Sequence, residues 1–453
     1  MNAIMAFIAF AACGAMYDVR EYGAVGDGMT IDTPAIQRAI DEASKAGGGT
    51  VAIGSGRYVV ANLTLKDNVT LRLAKDAVLL GATNEVDYVD GIMSVVSAFK
   101  ARNIAIEGEG TIDGRGWAAP LKHPRRWRDV HFRNCGNVRV EDVTLKDPAF
   151  WTFFLQECED CIVRGVRIFA HANFNNDGID IEAKRVLVEN CVIDSDDDAI
   201  CPKSYNPDFV CEGVEVRNCV LASNCNFIKF GTTSHGTFRN CYIHHCKLRP
   251  CAVSRLRFWD ECSWPGREAG ITDKITGLAA VALEVVDGGG MENVRVSDIS
   301  FNDGGVQTPV LVRLGRRCSR DGVESYLRNC VIENMEGKTA SFIASSITGI
   351  PGLRPSGITL RNFQLCLKTG ASAEAAAKKP DEREKKYPEN RMFDCVLPAY
   401  GFYVRHADGV KFENIRIRTY GSADPRPPLV TDDCTGFSVS KDCIFGDVSA
   451  LGR

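Results

Sequence analysis

The sequence predicts a right-handed parallel β-helix, an all-β solenoid, on two observations. A phrase with apolar residues alternating on both sides of an Asn or Asp recurs from about Val138 onward, and its early copies follow one another at 22 to 28 residues. The 42 glycines suit a chain rich in turns. Period-two alternation around a polar corner describes two short strands joined by a tight bend, and its repetition describes a solenoid. Each turn of chain then lies about 4.8 Å above the last.

The repeat phrase reads apolar, any, apolar, any, Asn or Asp, apolar, any, apolar. Its clear copies begin at Val138, Val186, Val214, Val294, Ile358 and Val410. Side-chain amides stacked from coil to coil explain the polar corner. A cysteine follows the corner Asn in four copies, at Cys191, Cys219, Cys241 and Cys330. Since a buried thiol behaves as a small apolar residue, we expect few disulfides although the chain has 19 cysteines.

An amphipathic helix is predicted ahead of the repeats, where it can cover the open end of the core. Asp32 or Thr33 can cap this helix, and Gly47–Gly49 ends it. Strands are expected to follow at Val51–Ile53 and Tyr58–Val60.

Residues 17–453 are expected to form a single β-helix domain with loop insertions at about 247–275 and 370–400. The charged run Lys378–Lys386 in the second insertion is expected to be a solvated surface helix. Residues 1–16 are a candidate signal or lipoprotein leader, although no Lys or Arg precedes Arg20. We therefore expect a secreted, periplasmic or lipid-anchored extracytoplasmic protein. No later stretch approaches the ~20 apolar residues of a membrane span.

The composition is that of a globular protein, with 45% hydrophobic and 25% charged residues. A net charge of -4 argues against a nucleic-acid partner, because such a surface needs a basic footprint. We expect a monomer.

Two acidic clusters stand out against this scaffold. The first reads Asn175-Asn176-Asp177-Gly178-Ile179-Asp180, and the second reads Asp196-Asp197-Asp198. Asp177 and Asp198 are 21 residues apart, nearly one coil, so the clusters are expected side by side on neighbouring turns. Like charges this close raise the pKa of one partner, which gives the acid and the base that acetal hydrolysis needs. The other interpretations are an Asn-Asp-Gly turn and an Asp run that caps a loop or holds Ca²⁺.

The two clusters, with Ala199-Ile200 and Lys203-Ser204, resemble the active-site signature of glycoside hydrolase family 28, the polygalacturonases and rhamnogalacturonan hydrolases. Pro148–Thr152 is similar to the strand that enters the family's site, and the stretch from Tyr22 to Gly49 is similar to the N-terminal cap of pectin-active β-helices. The resemblance extends from Tyr17 to beyond Ile417. It implies a pectin-lyase-like solenoid and an O-glycosyl hydrolase whose substrate is an acidic plant-type polysaccharide or oligosaccharide.

Position by position, the resemblance implies that Asp197 is the general acid and that Asp177 and Asp198 hold and activate the water. It also implies inversion of configuration, with no metal and no cofactor. Stacking on adjacent coils would equally allow the shorter carboxyl separation of retaining enzymes. The candidate substrate-binding residues are Asn175, Asp180, Lys203, Asn226, Lys229, Glu284 and His171.

The chain departs from the family pattern around the acids. Asn226 stands where the family has the His of Gly-His-Gly, and Glu284 ends the stretch that replaces Arg-Ile-Lys. A substrate carboxylate would lack a partner there, which argues against galacturonate at that subsite. The residues that can compensate are Lys229, Arg255, Arg257 and His171. A related pectin-type linkage, as in rhamnogalacturonan, or an exo mode of cleavage fits better than a strict polygalacturonase.

Two alternatives remain open. A Ca²⁺-dependent polysaccharide lyase would use Asp197 and Asp198 to hold the ion and an Arg or Lys as the base, but no Arg falls within the acidic clusters. A non-catalytic glycan-binding β-helix would also tolerate the loss of the family's His and Arg-Ile-Lys positions.

Overall fold

A computed structural model describes residues 14–89, 92–253, 277–318 and 324–446. Most of the candidate leader, and Arg255 and Arg257 with most of the first insertion, lie outside the described residues. The chain divides into two compact units, Met1–Asp197 with Gly213–Cys219, and Asp198–Glu212 with Val220–Arg453. A single domain over residues 17–453 stays a prediction.

Both units have the predicted fold, the right-handed parallel β-helix. The strands from the N-terminus to the second acidic cluster are β1 (Ala15–Asp18), β2 (Asp27–Ile31), β3 (Gly49–Ile53), β4 (Gly56–Val60), β5 (Leu63–Leu65), β6 (Val69–Leu73), β7 (Ala77–Gly81), β8 (Ser94–Phe99), β9 (Arg102–Gly108), β10 (Thr111–Asp113), β11 (Arg128–Arg133), β12 (Gly136–Glu141), β13 (Thr144–Lys146), β14 (Phe153–Arg164), β15 (Arg167–Ala170), β16 (Ile179–Glu189) and β17 (Val192–Ser195). The two strands predicted from alternation near the N-terminus are confirmed as β3 and β4.

The remaining described strands follow in chain order. They are β18 (Ile200–Pro202), β19 (Val210–Arg217), β20 (Val220–Ser223), β21 (Ile228–Phe230), β22 (Thr237–Arg239), β23 (Tyr242–Arg249), β24 (Gly277–Val285), β25 (Gly290–Glu292), β26 (Arg295–Leu314), β27 (Tyr326–Arg328), β28 (Val331–Thr339), β29 (Ser345–Thr348), β30 (Thr359–Thr369), β31 (Phe402–Asp408), β32 (Lys411–Gly421), β33 (Leu429–Thr435), β34 (Ser438–Val439) and β35 (Ile444–Phe445).

The predicted helix is α1 (Thr33–Lys45), which packs its apolar face on β1, β3, β5 and β6. It ends just before Gly47 and Gly48, whose φ values of 97° and 129° no other residue type adopts easily. Asp32 is the N-cap residue, as predicted, but its side chain makes no capping hydrogen bond. The carboxylate of Asp32 instead accepts the backbone N–H of Val25 at 2.7 Å and of Gly26 at 3.1 Å, so it orders the loop before the helix.

An ion-pair ladder in the first unit confirms the predicted period. Arg164 bonds to Glu141 and Glu189, which are 23 and 25 residues away, and Arg217 bonds to Glu189, which is 28 residues away. Because each pair joins neighbouring coils, these offsets are the coil lengths. The strand register agrees, since Val138 pairs with Cys161 and Cys161 pairs with Val186.

The predicted amide ladder is confirmed at the polar corners. In the first unit Asn137 donates to Asn103 at 2.9 Å, and Asn103 donates to Asn68 at 2.7 Å. All three have φ between 52° and 61°. Asn and Asp tolerate this left-handed conformation better than other side chains do. They are therefore favoured at the corner for two reasons, the backbone conformation and the hydrogen bonds of the ladder.

The ladder recurs in the second unit, where Asn334 donates to Asp298 and Asn362 donates to Asn334, each at 3.0 Å. Asn414 in turn donates to Asn362 across 52 residues, and Asn293 donates to Asn240 across 53. These two long offsets contain the two predicted insertions. The corner cysteines Cys191, Cys219, Cys241 and Cys330 are all buried, as expected of core thiols.

The second insertion folds differently from the expectation. Its helix, α2 (Ala373–Ala377), ends before the charged run begins, so a solvated helix over Lys378–Lys386 is wrong. Residues 378–391, here called the strap, run without helix across the second unit. Below them Met392, Phe393, Cys395 and Leu397 enter a core cluster with Ala344 and Tyr403. None of the described helices is long and apolar enough to cross a membrane.

Candidate active site

The first acidic cluster lies on the loop between β15 and β16. Asn176 fixes this loop, because its side-chain amide donates to the carbonyls of Pro148 at 3.0 Å and Phe150 at 2.8 Å. Its side-chain oxygen accepts the backbone N–H of Asn173 at 2.6 Å. The loop is therefore held from both sides, and the chain enters β16 two residues after Asp177.

Two carboxylates of the first unit differ in exposure. Asp177 is buried at 2% exposed, whereas Asp197, which follows β17, is only partly buried. The Asn175 side chain donates to Oδ2 of Asp197 at 3.4 Å, and the backbone N–H of Asp197 donates to the carbonyl of Asn176 at 3.3 Å. The second cluster is thus tied to the first within this unit at Asp197.

Arg126 is a component of this site that the sequence argument missed. Its guanidinium donates to the carbonyl of Phe174 at 2.5 Å and to Oδ1 of Asn175 at 3.0 Å. Burial lowers the pKa of Arg126, and the charges of Asp177 and Asp197 act in the opposite direction. Arg126 is therefore a cation whose charge interacts with those of Asp177 and Asp197.

His171 and Asp180 are both buried side chains of the first unit. Nε2 of His171 lies 2.8 Å from Oδ1 of Asp194, and Nδ1 lies 4.0 Å from Oδ1 of Asp196. Asp180 is the second residue of β16, pairs in register with Phe154 and is fully buried. Within the first unit, His171 contacts the acidic run through its first residue, Asp196.

Asp198 lies in the second unit, where it is the centre of a buried polar network. Nζ of Lys229, on β21, lies 3.0 Å from Oδ2 of Asp198. Asn226 donates its side-chain amide to Oδ1 of Asp198 at 2.8 Å and its backbone N–H to the same oxygen at 3.1 Å. Asn226, which the sequence resemblance places at the family's His position, thus contacts Asp198 as a hydrogen-bond donor that cannot change charge.

The charge state of this network follows from its contacts. Burial alone would raise the pKa of Asp198, but the charges of Lys229 and Lys203 and the bond from Asn226 lower it below its ordinary value. Burial alone would lower the pKa of Lys229, but Asp198 holds it well above its ordinary value. The two groups therefore stabilise each other as an ion pair.

Lys203 and Glu284 complete the network. Nζ of Lys203 lies 3.2 Å from Sγ of Cys201. The Thr232 hydroxyl donates to Oε2 of Glu284 at 3.1 Å, and Oε1 of Glu284 has no hydrogen-bond partner among the described residues. Burial raises the pKa of Glu284 to about 7, although Lys229 opposes that rise. Lys229 thus has Asp198 as its ion-pair partner and Glu284 as a second, weaker anionic neighbour.

Tyr387 is the second component that the sequence argument missed. Its hydroxyl accepts a hydrogen bond from Nζ of Lys229 at 3.1 Å. The Arg317 guanidinium lies 5.5 Å from the centre of its ring and binds Asp287 through two bonds of 2.9 and 2.6 Å. The strap thereby brings an aromatic side chain to the pair Asp198–Lys229.

The fold and these residues define a class of protein: a parallel β-helix whose turns carry buried and half-buried carboxylates with cationic and amide partners. The stacking of the two acidic clusters across a whole coil stays a prediction. The comparisons with known proteins place this class more narrowly.

Residues 45–223 match the family model of glycosyl hydrolases family 28. An exo-poly-alpha-D-galacturonosidase of Dickeya chrysanthemi is 29% identical over 40% of this chain and 41% of its own length. A probable polygalacturonase of Arabidopsis thaliana is 26% identical over 79% of this chain and 85% of its own. The chain thus spans about two fifths of the first relative and most of the second.

A solved structure agrees with the fold. The hyperthermoactive exopolygalacturonase from Thermotoga maritima superimposes with a TM-score of 0.67 at 20% identity, covering 90% of this chain and 92% of that one. The family match and the two curated relatives confirm the predicted resemblance to glycoside hydrolase family 28.

Proposed function

We propose that this protein is an O-glycosyl hydrolase that cleaves a pectin-type polysaccharide or oligosaccharide, related to galacturonan or rhamnogalacturonan. The family match and the galacturonan-cleaving names of its relatives support this substrate class. The observation that carries the proposal is the contrast between two consecutive residues. Asp197 is partly exposed, whereas Asp198 is buried beside a lysine.

The contrast supports different roles for the two acids. Asp197, which can reach a substrate, is the general acid that donates its proton to the leaving glycosidic oxygen. Asp198 remains ionised because of Lys229 and serves as a base. Asp177, whose negative charge Arg126 faces, shares with Asp198 the holding and activation of the attacking water.

The reaction is then a single displacement. The C–O bond to the leaving sugar breaks as its oxygen takes the proton of Asp197, and a water oxygen bonds to the anomeric carbon. The water's proton passes to a carboxylate, which leaves the reducing end with inverted configuration. Among the residues that would surround the sugar we propose Asn175, Asp180, Lys203, Asn226, Lys229, Glu284 and His171.

The test is hydrolysis of polygalacturonan, rhamnogalacturonan and short oligogalacturonides by purified protein, with reducing ends counted. We expect release from at least one of them, and we expect Asp197→Asn to lower kcat by 10³-fold or more because it removes the donated proton, on the order of 4 kcal/mol. The matched control is Asp208→Asn, an exposed acid on the loop before β19. If none of the three substrates is cleaved, the proposal is refuted.

One observation keeps the Ca²⁺-dependent lyase as the second candidate. No arginine falls within the acidic clusters in sequence, yet the charge of Arg126 interacts with those of Asp177 and Asp197 in the structure. Elimination gives an unsaturated product that absorbs in the ultraviolet, and the reaction stops when the calcium is chelated. Hydrolysis gives no such absorbance, so one spectrum separates the two reactions.

We also propose that the protein acts outside the cytoplasm, as a monomer. An extracytoplasmic site is where a polymeric pectic substrate is met. Fractionation of cells that express the full chain would contradict this if the protein stayed in the cytoplasm. Size-exclusion chromatography with light scattering would contradict the monomer if the mass were a multiple of 49.5 kDa.

A further inference from the structure

We propose that Tyr387 is a substrate-binding residue, whose ring packs against a sugar of an acidic oligosaccharide next to Lys229. The proposal rests on the proposed function and deepens it, because it names a contact that the chain's own strap supplies. No part of the repeat contributes this residue. It comes from the second insertion, far from both acidic clusters in sequence.

The exposure of Tyr387 is the first observation. It is 47% exposed, although its two neighbours in the network, Lys229 and Asp198, are 3% and 2% exposed. Nearly half of the residue is thus accessible at a point where its hydroxyl is held by a buried lysine, while Lys229 and Arg317 lie 5.3 and 5.5 Å from the ring centre. A tyrosine ring offers a flat apolar face at low cost in conformational entropy, which is what the apolar face of a sugar needs.

The strap that carries Tyr387 is fixed before it. The guanidinium of Arg313 donates to the carbonyls of Glu382 at 2.8 Å and Arg383 at 3.1 Å. The backbone N–H of Arg316 donates to the carbonyl of Glu384 at 3.0 Å. These bonds are made by residues at and just beyond the end of β26, so this part of the strap is held at a fixed position relative to that strand.

The strap is also fixed after Tyr387. The Asn390 amide, itself buried, donates to the carbonyl of Leu278 at 3.2 Å and to the Thr308 hydroxyl at 3.0 Å. Lys385, Lys386 and Tyr387 are the exposed residues between the two anchors. Both anchors are hydrogen bonds to residues in or next to strands of the β-helix. The ring is therefore positioned before a ligand arrives, which reduces the conformational entropy lost on binding.

The charged side chains near the Tyr387 ring indicate the sign of the charge that a ligand should carry. Lys203, Lys229 and Arg317 are three cations, against the two carboxylates of Asp198 and Asp287. The remaining carboxyl, Glu284, binds its proton more tightly than an ordinary glutamate. At mildly acidic pH these six side chains of the second unit together carry a surplus positive charge, which favours a sugar that bears a carboxylate.

The test measures binding of trigalacturonate at mildly acidic pH by isothermal titration calorimetry, with Asp197→Asn as the parent so that the probe is not consumed. We expect Tyr387→Ala to weaken binding about tenfold or more, since it removes the ring. Tyr387→Phe keeps the ring and is expected to stay within about threefold of the parent. Lys386→Ala, the adjacent exposed residue, is the matched control and is expected to bind as the parent does.

Two further readouts separate binding from folding and from catalysis. The thermal midpoint of each variant, measured beside that of the parent, shows whether Tyr387→Ala is still folded at the temperature of the binding experiment. The methyl ester of trigalacturonate should bind the parent more weakly than the acid. Equal binding by the parent and Tyr387→Ala, or no binding of trigalacturonate by the parent, would overturn the inference. If the parent binds in the expected way while the protein with Asp197 intact hydrolyses nothing, the proposed hydrolase fails and the Tyr387 contact stands.

Discussion

Lys229 and Asp198 form a buried ion pair, with Nζ of the lysine 3.0 Å from Oδ2 of the aspartate and both side chains less than a twentieth exposed. A buried pair of this kind contributes little net stability compared with apolar residues of the same shape, but removal of one partner leaves a buried charge without compensation. The pair is therefore a point at which the second unit is sensitive to a single substitution.

Lys229→Met is the direct test of this sensitivity. We expect it to lower the free energy of unfolding by about 3 to 5 kcal/mol near pH 7, because Asp198 loses its cation. The loss should shrink as the pH falls through the titration of Asp198, since the lowered pKa of that carboxyl is the source of the stabilisation. Urea unfolding at several pH values measures both effects.

The control is Lys247→Met, which breaks an exposed pair with Asp303 at the same 3.0 Å distance. Exposed pairs contribute about 0 to 1 kcal/mol, so this variant should be nearly as stable as the parent. Equal destabilisation by the two substitutions would show that the Asp198 pair is not buried in solution.

Glu284 predicts a pH dependence of opposite sense. Burial raises its pKa to about 7, whereas an unfolded glutamate titrates near ~4.3. Its contribution to stability is therefore full below the unfolded value and is lost as the pH rises to about 7, on the order of 3 kcal/mol in total. In Glu284→Gln this loss should be missing when urea unfolding is followed from pH 4.5 to 8.

The matched variant is Glu374→Gln, an exposed carboxyl on α2, which should keep the parental pH dependence. Parallel stability curves for the parent and Glu284→Gln would mean that Glu284 does not titrate in this range.

The amide ladder gives a prediction about structure alone. Asn334 has φ 53° and takes part in two ladder bonds, to Asp298 and from Asn362. Asn334→Ala loses both bonds and places a Cβ residue in the left-handed region, so we expect about 2 to 4 kcal/mol of destabilisation. Asn334→Gly loses the same bonds but adopts this φ readily, so it should be the more stable of the two in urea unfolding. If Asn334→Ala were the more stable of the two, the left-handed φ of this position would not contribute to the destabilisation.

Arg126 is expected to control the pH profile of hydrolysis. Arg126→Met removes the cation that faces Asp177 and Asp197, so these carboxylates hold their protons to higher pH and the limbs of kcat/KM should move to higher pH. We also expect kcat/KM at the optimum to fall about tenfold or more, a loss of roughly 1.4 kcal/mol, because the loop loses its bonds at Phe174 and Asn175. Arg102→Met, an exposed arginine of the first unit, should leave the profile in place. A lower rate with an unshifted profile would assign Arg126 a purely structural role.

Much of the fold could be predicted because one local pattern repeats. The corner at Asn362 has the same sequence environment as those at Asp298 and Asn414, so alternation and the left-handed bend recur at each copy. Once the period is known, the ladder follows without further information. The position of Asp198 beside Asn226 also follows, since the two are 28 residues apart, one long coil.

The rest of the site was beyond the reach of a periodic argument. Arg126 is 49 residues from Asn175, and Tyr387 is 158 residues from Lys229, so no single coil length relates either pair. The charged run of the strap was interpreted as a helix from its composition. In the structure the carbonyls of Glu382 and Arg383 accept hydrogen bonds from Arg313, a buried arginine whose partners composition cannot reveal.

The most direct test of the account is the configuration of the first product released from trigalacturonate, followed by NMR before mutarotation. The account predicts hydrolysis with the new reducing end in the configuration opposite to that of the cleaved bond, and no such product from Asp197→Asn. A product that retains the configuration would contradict the proposal that Asp177 and Asp198 hold and activate the attacking water. An unsaturated product would contradict hydrolysis itself.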